Sequence, residues 1–294
     1  VDTASTEGVG APTVSFLSDY GTNDEFVGVV HSVLRRLAPE AAVVDLTHGI
    51  TPFDVRAGAL ALRRVAQWCA PGVILAVVDP GVGTARRGVT VRTASGLALV
   101  GPDNGLLAPA IEVLGGAEQV VELVPEQVPG SAAPAGATFD GRDLFAPAAA
   151  HLCRGGMPDL LGPELDPGSL TASPLRRPFH SVDDDGVPAL ETEVWWIDRF
   201  GNVELNATPA DMGPLLDAAS KAEPIVVDAA PVLRLDVGDE SLAAYVVASY
   251  SEVPPGRVGI VTDSQGHLAL VVDRGSAAGR LWLHEGDEVH LRVW

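Results

Sequence analysis

The sequence predicts an α/β N-terminal domain with a mostly parallel sheet, followed by a smaller all-β C-terminal domain that is a barrel or a sandwich. Three observations carry this. Strand-like and amphipathic helical runs alternate over the first half, the apolar period drops from 3.6 to 2 beyond residue 188, and a proline-rich stretch separates the two regimes. The boundaries are set at 1–175 for the α/β domain, 176–188 for a linker and 189–294 for the all-β domain.

The elements follow in order. Thr13 to Leu17 is a short strand ending in Ser18-Asp19-Tyr20-Gly21, and Glu25 to Leu37 has helical spacing of Phe26, Val29, Val30, Val33, Leu34 and Leu37. The unit repeats, with Ala42 to Leu46 as a strand ending in Thr47-His48-Gly49 and Val55 to Cys69 as an amphipathic helix. Val73 to Val78 is a third, fully apolar strand that Pro80 stops. Gly88 to Arg92 and Gly96 to Val100 read as a hairpin, Leu106 to Leu114 as a helix, and Asp140 to Cys153 as a further helix. Prolines, charges and turn residues then fill Pro158 to Pro188. Beyond them, strands are expected at Glu191 to Asp198, Asn202 to Asn206, Ile225 to Val227, Val232 to Asp236, Arg257 to Thr262, His267 to Val272 and Glu288 to Trp294.

Composition narrows the function classes. With 294 residues, 47% of them hydrophobic, the chain reads as a soluble globular protein large enough for two domains. A formal charge of −20, with Lys221 the single lysine, repels nucleic acid and anionic membranes and attracts small cations. Cys69 and Cys153 have neither disulfide nor metal spacing, which fits a reducing cytoplasm, and Val1 to Gly10 has no export signal. No apolar run approaches membrane-spanning length.

Chemistry concentrates at the strand ends. Asp19, His48 and Asp79 follow successive parallel strands, whose carboxyl ends share one edge where open α/β sheets bind ligands. The run Val77-Val78-Asp79-Pro80-Gly81-Val82-Gly83-Thr84, with Arg86 after it, places an acid and an arginine side by side around a glycine turn, which is more than a turn requires. Phe139-Asp140-Gly141-Arg142-Asp143 is an acidic helix start, and Asp198-Arg199-Phe200-Gly201-Asn202 and Thr262-Asp263-Ser264-Gln265-Gly266 are loops of the second domain. The remaining histidines, His31, His151, His180, His267, His284 and His290, are scattered without ligand spacing, so no metal is assigned. Nucleophile elbow, dinucleotide fingerprint and P-loop are all missing from the sequence.

Taken together, Phe16-Leu17-Ser18-Asp19-Tyr20-Gly21, Thr51-Pro52-Phe53-Asp54, Val78 to Thr84, Gly101-Pro102-Asp103-Asn104-Gly105-Leu106 and Asp198 to Asn202 resemble the S-adenosyl-L-methionine hydroxide adenosyltransferases, relatives of fluorinase and chlorinase. That resemblance implies hydrolysis of S-adenosyl-L-methionine to adenosine and L-methionine without a cofactor, in a homotrimer whose sites lie between the first domain of one subunit and the β domain of its neighbour. It further implies that Asp19 holds the ribose hydroxyls, that Phe53 and Phe139 line the cavity, and that Asn202 bonds the adenine edge with Phe200 and Tyr250 packed on the ring. By the same resemblance, Asp198 and Ser264 hold the methionine amino and carboxylate groups. Asp79 is the candidate for orienting or deprotonating the water, with Arg86 keeping it ionised.

The chain departs from the hydrolase pattern at one place, where Asp140 stands for the histidine normally found between the Phe and Gly of that motif. Two carboxylates beside one arginine can share a proton, which raises one pKa. Three other readings compete. A chlorinase-like halogenase fits Gly141, but Asp79 stands where halogenases carry a tyrosine and would repel a halide. A metal-dependent phosphohydrolase would use Asp19, His48, Asp79 and Asp103, and a non-catalytic adenosine or S-adenosyl-L-methionine sensor would explain the missing histidine.

Overall fold

A computed structural model of the protein describes residues 12–131, 136, 138–182, 186–221, 226–227 and 230–294. Val1 to Gly10 and Ile225 lie outside the described residues. The chain divides into two compact units between Leu175 and Arg176.

The first unit starts with β1 (Thr13–Ser18), α1 (Phe26–Leu37), β2 (Ala42–Thr47), α2 (Val55–Ala66) and β3 (Gly72–Val77). β4 (Gly88–Thr93) and β5 (Ala98–Pro102) form the expected hairpin, and α3 (Ala108–Val113), β6 (Ala117–Glu122), α4 (Ala146–Cys153) and β7 (Glu164–Leu165) complete it. The sheet order is β2-β1-β3-β5-β4-β6-β7. β2, β1, β3 and β5 run parallel, and the remaining pairs are antiparallel.

Alternation along the central strands explains why both faces are covered. Val14, Phe16, Val73, Leu75 and Val77 pack on one side with α1 and α4 residues such as Leu34 and Ala149, while Leu17, Ile74, Ala76 and Val78 pack on the other with Leu62 and Ile111. The carboxyl ends of β1 and β3 therefore stop together, with Ser18 opposite Val77, and set Asp19 and Asp79 on one edge.

The second unit comprises β8 (Phe179–Val182), β9 (Pro188–Ile197), β10 (Val203–Leu205), α5 (Pro209–Lys221), β11 (Val226–Val227), β12 (Ala230–Val237), β13 (Glu240–Val246), β14 (Val258–Thr262), β15 (Leu268–Val271), α6 (Ala277–Leu281) and β16 (Glu288–Arg292). Pairing of β10 with both β15 and β9 closes seven strands into a barrel, which decides between barrel and sandwich. Leu190, Leu205, Leu235, Ile260 and Leu291 fill it.

Several elements differ from the sequence reading. The stretch 176–188, expected as a linker, carries β8, which extends the sheet beside β9. The helix expected from Asp140 begins instead as a π-helical turn, Gly141–Phe145, before α4. β6, β13, α5 and α6 were not predicted: Pro214 within α5 reads as a breaker, and the alanines of β13 lack strand character. Asp211 offsets the weak start of α5 by accepting hydrogen bonds from the Thr208 N–H and hydroxyl at 2.8 and 2.6 Å.

Candidate active site

A cavity of about 450 Å³ opens at the carboxyl edge of β1 and β3, and Asp19, Tyr20, Phe53, Asp79, Phe139 and Asp140 are among its lining residues. Each is placed by a local device. β3 runs out at Val77, and the Asn104 amide donates to the Val78 carbonyl at 2.8 Å, so the Gly101 to Leu106 motif braces the strand end that carries Asp79. Arg86 returns from the glycine turn and donates to Asp79 twice, from Nε to Oδ1 at 3.0 Å and from Nη2 to Oδ2 at 2.5 Å. The same Nη2 donates to Asp140 Oδ2 at 2.7 Å. Only 8% of the Arg86 side chain and 6% of the Asp79 side chain are exposed, against 26% for Asp140, so Arg86 and Asp79 are largely buried and Asp140 is the more open of the two acids.

This arrangement acts on the Asp79 carboxyl. Burial pushes the Asp79 carboxyl above its ordinary value; the Arg86 charge and hydrogen bonds pull it down, and the negative charge of Asp140 pushes it up again. The balance lies on the raised side. A carboxylate with a raised pKa is a better proton acceptor than an ordinary one.

Asp19 is fixed from the opposite wall. Its Oδ2 accepts the Phe53 N–H at 2.9 Å, and Phe53 has φ 70°, a left-handed conformation that a bulky side chain rarely adopts. Asp54 then caps α2 by accepting the Ala57 N–H at 2.8 Å. Thus the Thr51 to Asp54 motif turns the chain, presents the 71% exposed Phe53 ring and supplies a donor to Asp19. Phe139 packs edge-on against Tyr20 and Phe26, with ring centroids 5.6 and 5.2 Å away, to make an aromatic wall.

Tyr20 was not singled out from the sequence. It lines the cavity, and burial, followed by the charges of Asp19, Asp79 and Asp140, keeps its phenol protonated far above the usual range. Two residues weighed with the acids do not line the cavity. His48 is buried behind Ser18, 2.8 Å from its hydroxyl, and Asp103 is held by Arg87 at 2.5 Å and by the Thr171 N–H at 2.8 Å. Asp103 therefore fastens the 169–171 segment to β5, as a structural brace.

In the second unit, the loop after β9 is organised by Asp198. Its Oδ1 accepts the N–H groups of Phe200 and Asn202 at 2.8 and 2.9 Å, and its Oδ2 accepts the Asn202 amide at 2.7 Å. Gly201 has φ 83° and no room for a side chain, because Ser276 occupies the space a Cβ would take. The result is a rigid tip with Phe200 72% exposed. Asp263 shapes the neighbouring hairpin, which carries the exposed Ser264, by accepting the N–H groups of Gln265 and His267. Burial and then the charges of Asp198 and Asp263 raise the Tyr250 phenol, which places all three in one neighbourhood.

The family models for the SAM hydroxide adenosyltransferase N-terminal and C-terminal domains match residues 14–162 and 192–290. The chain belongs to the SAM hydroxide adenosyltransferase family. An (R)-S-adenosyl-L-methionine hydrolase of Salinispora arenicola is 41% identical over 280 residues, covering 95% of this chain and 97% of the relative. One of Thermus thermophilus is 39% identical, with 95% and 98% covered. The crystal structure of a conserved protein from Thermotoga maritima superposes with a TM-score of 0.78 at 33% identity, covering 95% of this chain and 99% of that one. Proteins named fluorinase are more distant, at 26% identity for that of Nocardia brasiliensis.

Membership of the adenosyltransferase family accounts for motifs in both units, since the Asp19, Asp79 and Asp140 segments fall in the first matched region and Asp198 to Asn202 in the second. Among the described residues no helix is long and apolar enough to cross a membrane.

Proposed function

We propose that this adenosyltransferase-family protein hydrolyses S-adenosyl-L-methionine to adenosine and L-methionine. The observation that carries the reading is the buried Arg86 joined to both Asp79 and Asp140 at the floor of the cavity. Water oxygen bonds to the ribose C5′ as the C5′–sulfur bond breaks. The bonding pair goes to sulfur and gives neutral methionine, a leaving group that needs neither acid nor metal. The demand falls on the water, which Asp79 holds in line and from which it takes the proton before passing it to solvent. Arg86 fixes the Asp79 rotamer, and Asp140 is the second oxygen ligand to that water, in the place of the family histidine.

On this reading Asp19 bonds the ribose hydroxyls, with Phe53 and Phe139 against the sugar and sulfonium. Asn202 reads the adenine edge, with Phe200 and Tyr250 on the ring, while Asp198 and Ser264 take the methionine end. The acidic lining favours a sulfonium cation. A homotrimer brings the β domain of one subunit to the cavity of the next, in the cytoplasm and without a cofactor.

Halide transfer is disfavoured by the same floor, since a halide beside Asp79 and Asp140 meets two carboxylates. The test is incubation with S-adenosyl-L-methionine in ¹⁸O-water, with and without chloride. Label in the adenosine 5′-hydroxyl supports hydrolysis, chlorodeoxyadenosine as the main product overturns it in favour of halogenation, and adenosine binding without methionine release supports the sensor.

A further inference from the structure

The fold gathers His31, Asp45 and His48, three residues on different elements, at the β2 edge of the sheet. His31 lies on α1, Asp45 on β2 and His48 just after β2. Asp45 Oδ1 is 2.8 Å from His31 Nε2 and 3.0 Å from His48 Nε2, and the three ligand atoms lie within 4.8 Å of one another. We propose that His31, Asp45 and His48 form a binding site for a borderline divalent transition-metal ion of the Zn²⁺ or Co²⁺ class, separate from the catalytic floor.

His48 points to a ligand most directly. Its side chain is 5% exposed and packs edge-on against Phe16, with centroids 4.6 Å apart. Its Nε2 is buried and, although near Asp45, is not aligned for a hydrogen bond. A buried polar nitrogen left without an aligned partner is costly, and a metal ion relieves that cost directly. The other ring nitrogen, Nδ1, is 2.8 Å from the Ser18 hydroxyl. With Nδ1–H donating to Ser18, Nε2 is left as the unprotonated nitrogen a metal needs, the second-sphere arrangement that orients a metal-binding imidazole.

The donor set decides the ion class. Two imidazole nitrogens and one carboxylate suit Zn²⁺, Co²⁺ or Ni²⁺, whereas Mg²⁺ and Ca²⁺ prefer all-oxygen shells. The His31 and Asp45 side chains are 35% and 43% exposed, so water can complete the shell. A formal charge of −20 raises the local cation concentration. An ion there ties α1 to the edge strand. It also stiffens His48, whose carbonyl accepts the Gly21 N–H at 2.8 Å on the turn that carries Asp19.

The experiment is a Co²⁺ titration of the untagged, chelator-treated full chain at neutral pH, read by visible ligand-field absorption and by equilibrium dialysis. One Co²⁺ per chain with visible bands is expected, displaced by Zn²⁺. His31→Ala and Asp45→Asn, both at partly exposed positions, are expected to weaken Co²⁺ at least tenfold with unchanged far-ultraviolet circular dichroism. His284→Ala, at a side chain 83% exposed and remote in sequence, is expected to titrate as the parent. If His31→Ala does not fold, His31→Gln replaces it. Parent-like titration of the folded His31 and Asp45 variants, or no saturable binding to the parent, overturns the proposal. Neither readout uses turnover, so the result is independent of whether the protein is a hydrolase.

Discussion

The Tyr20 hydroxyl fills the space that a side chain at Gly141 would occupy, so the first residue of the π-helical turn is glycine because a phenol lies against it. Tyr20 in turn borders the cavity between Asp19 and the Asp79–Asp140 pair. Gly141→Ala is therefore expected to displace Tyr20 and, with it, Asp140 one residue away. Steady-state turnover of S-adenosyl-L-methionine should fall on the order of 10²-fold, as for a misplacement of about 1 Å. Adding Tyr20→Phe to that variant removes the clashing oxygen and should recover part of the loss. No recovery would mean that the hydroxyl is not what excludes the side chain.

On the proposed mechanism Asp79 is the ionised base, so turnover should decline as pH falls through its pKa. Burial, aided by Asp140 and opposed by Arg86, raises that pKa, and the acid limb of kcat/KM should lie above the ordinary Asp value of about 4. Asp140→Asn removes the negative neighbour and should move the limb to lower pH. Asp79→Asn should abolish the limb and reduce kcat by about 10²- to 10⁴-fold while adenosine affinity is retained. A limb unmoved by Asp140→Asn would show that the acid titrating there is not Asp79.

Among the described residues, Arg86 is the cation that Asp79 and Asp140 share at 2.5 and 2.7 Å. Arg86→Met leaves the largely buried Asp79 carboxylate beside that of Asp140 with no paired cation and should cost about 3 to 5 kcal/mol of stability at neutral pH. The sign with pH follows from the direction of the shift. Without Arg86 the folded pKa of Asp79 rises further above its unfolded value, so the penalty is full at neutral pH and is relieved as pH falls through that raised pKa. The Tm of Arg86→Met should therefore approach that of the parent on acidification, measured by thermal melts from pH 8 to pH 5.

Where the sequence carried local signals, the fold could be read from it. Val73 to Val78 is apolar throughout because β3 is central and covered on both sides, and that run placed Asp79 at the strand end. Asp79 and Arg86 are seven residues apart within one turn, and their pairing was legible for that reason. What escaped depended on distant partners. Tyr20 matters through Gly141, more than a hundred residues away, and His31 meets Asp45 and His48 only after α1 packs on β2. α5 was hidden by Pro214, which its tertiary packing through Met212 and Leu215 overrides.

The Asp198 carboxylate accepts three hydrogen bonds, all from its own loop: the Phe200 and Asn202 N–H groups and the Asn202 side-chain amide. Its first effect on ligand is therefore to hold Phe200 and Asn202 in position. Asp198→Ala releases three donors from a charged acceptor at a tip where Phe200 is already 72% exposed, so little packing is lost and the Tm should change little. The ordering cost moves to the binding step. KM should rise by about tenfold or more, equivalent to about 1.4 kcal/mol, with kcat nearly unchanged because the Arg86 floor is untouched. Asp198→Asn keeps an acceptor oxygen for the backbone N–H groups and should fall between the two. If kcat instead collapsed at saturating substrate while KM held, Asp198 would be acting on the reaction itself rather than on the shape of its loop.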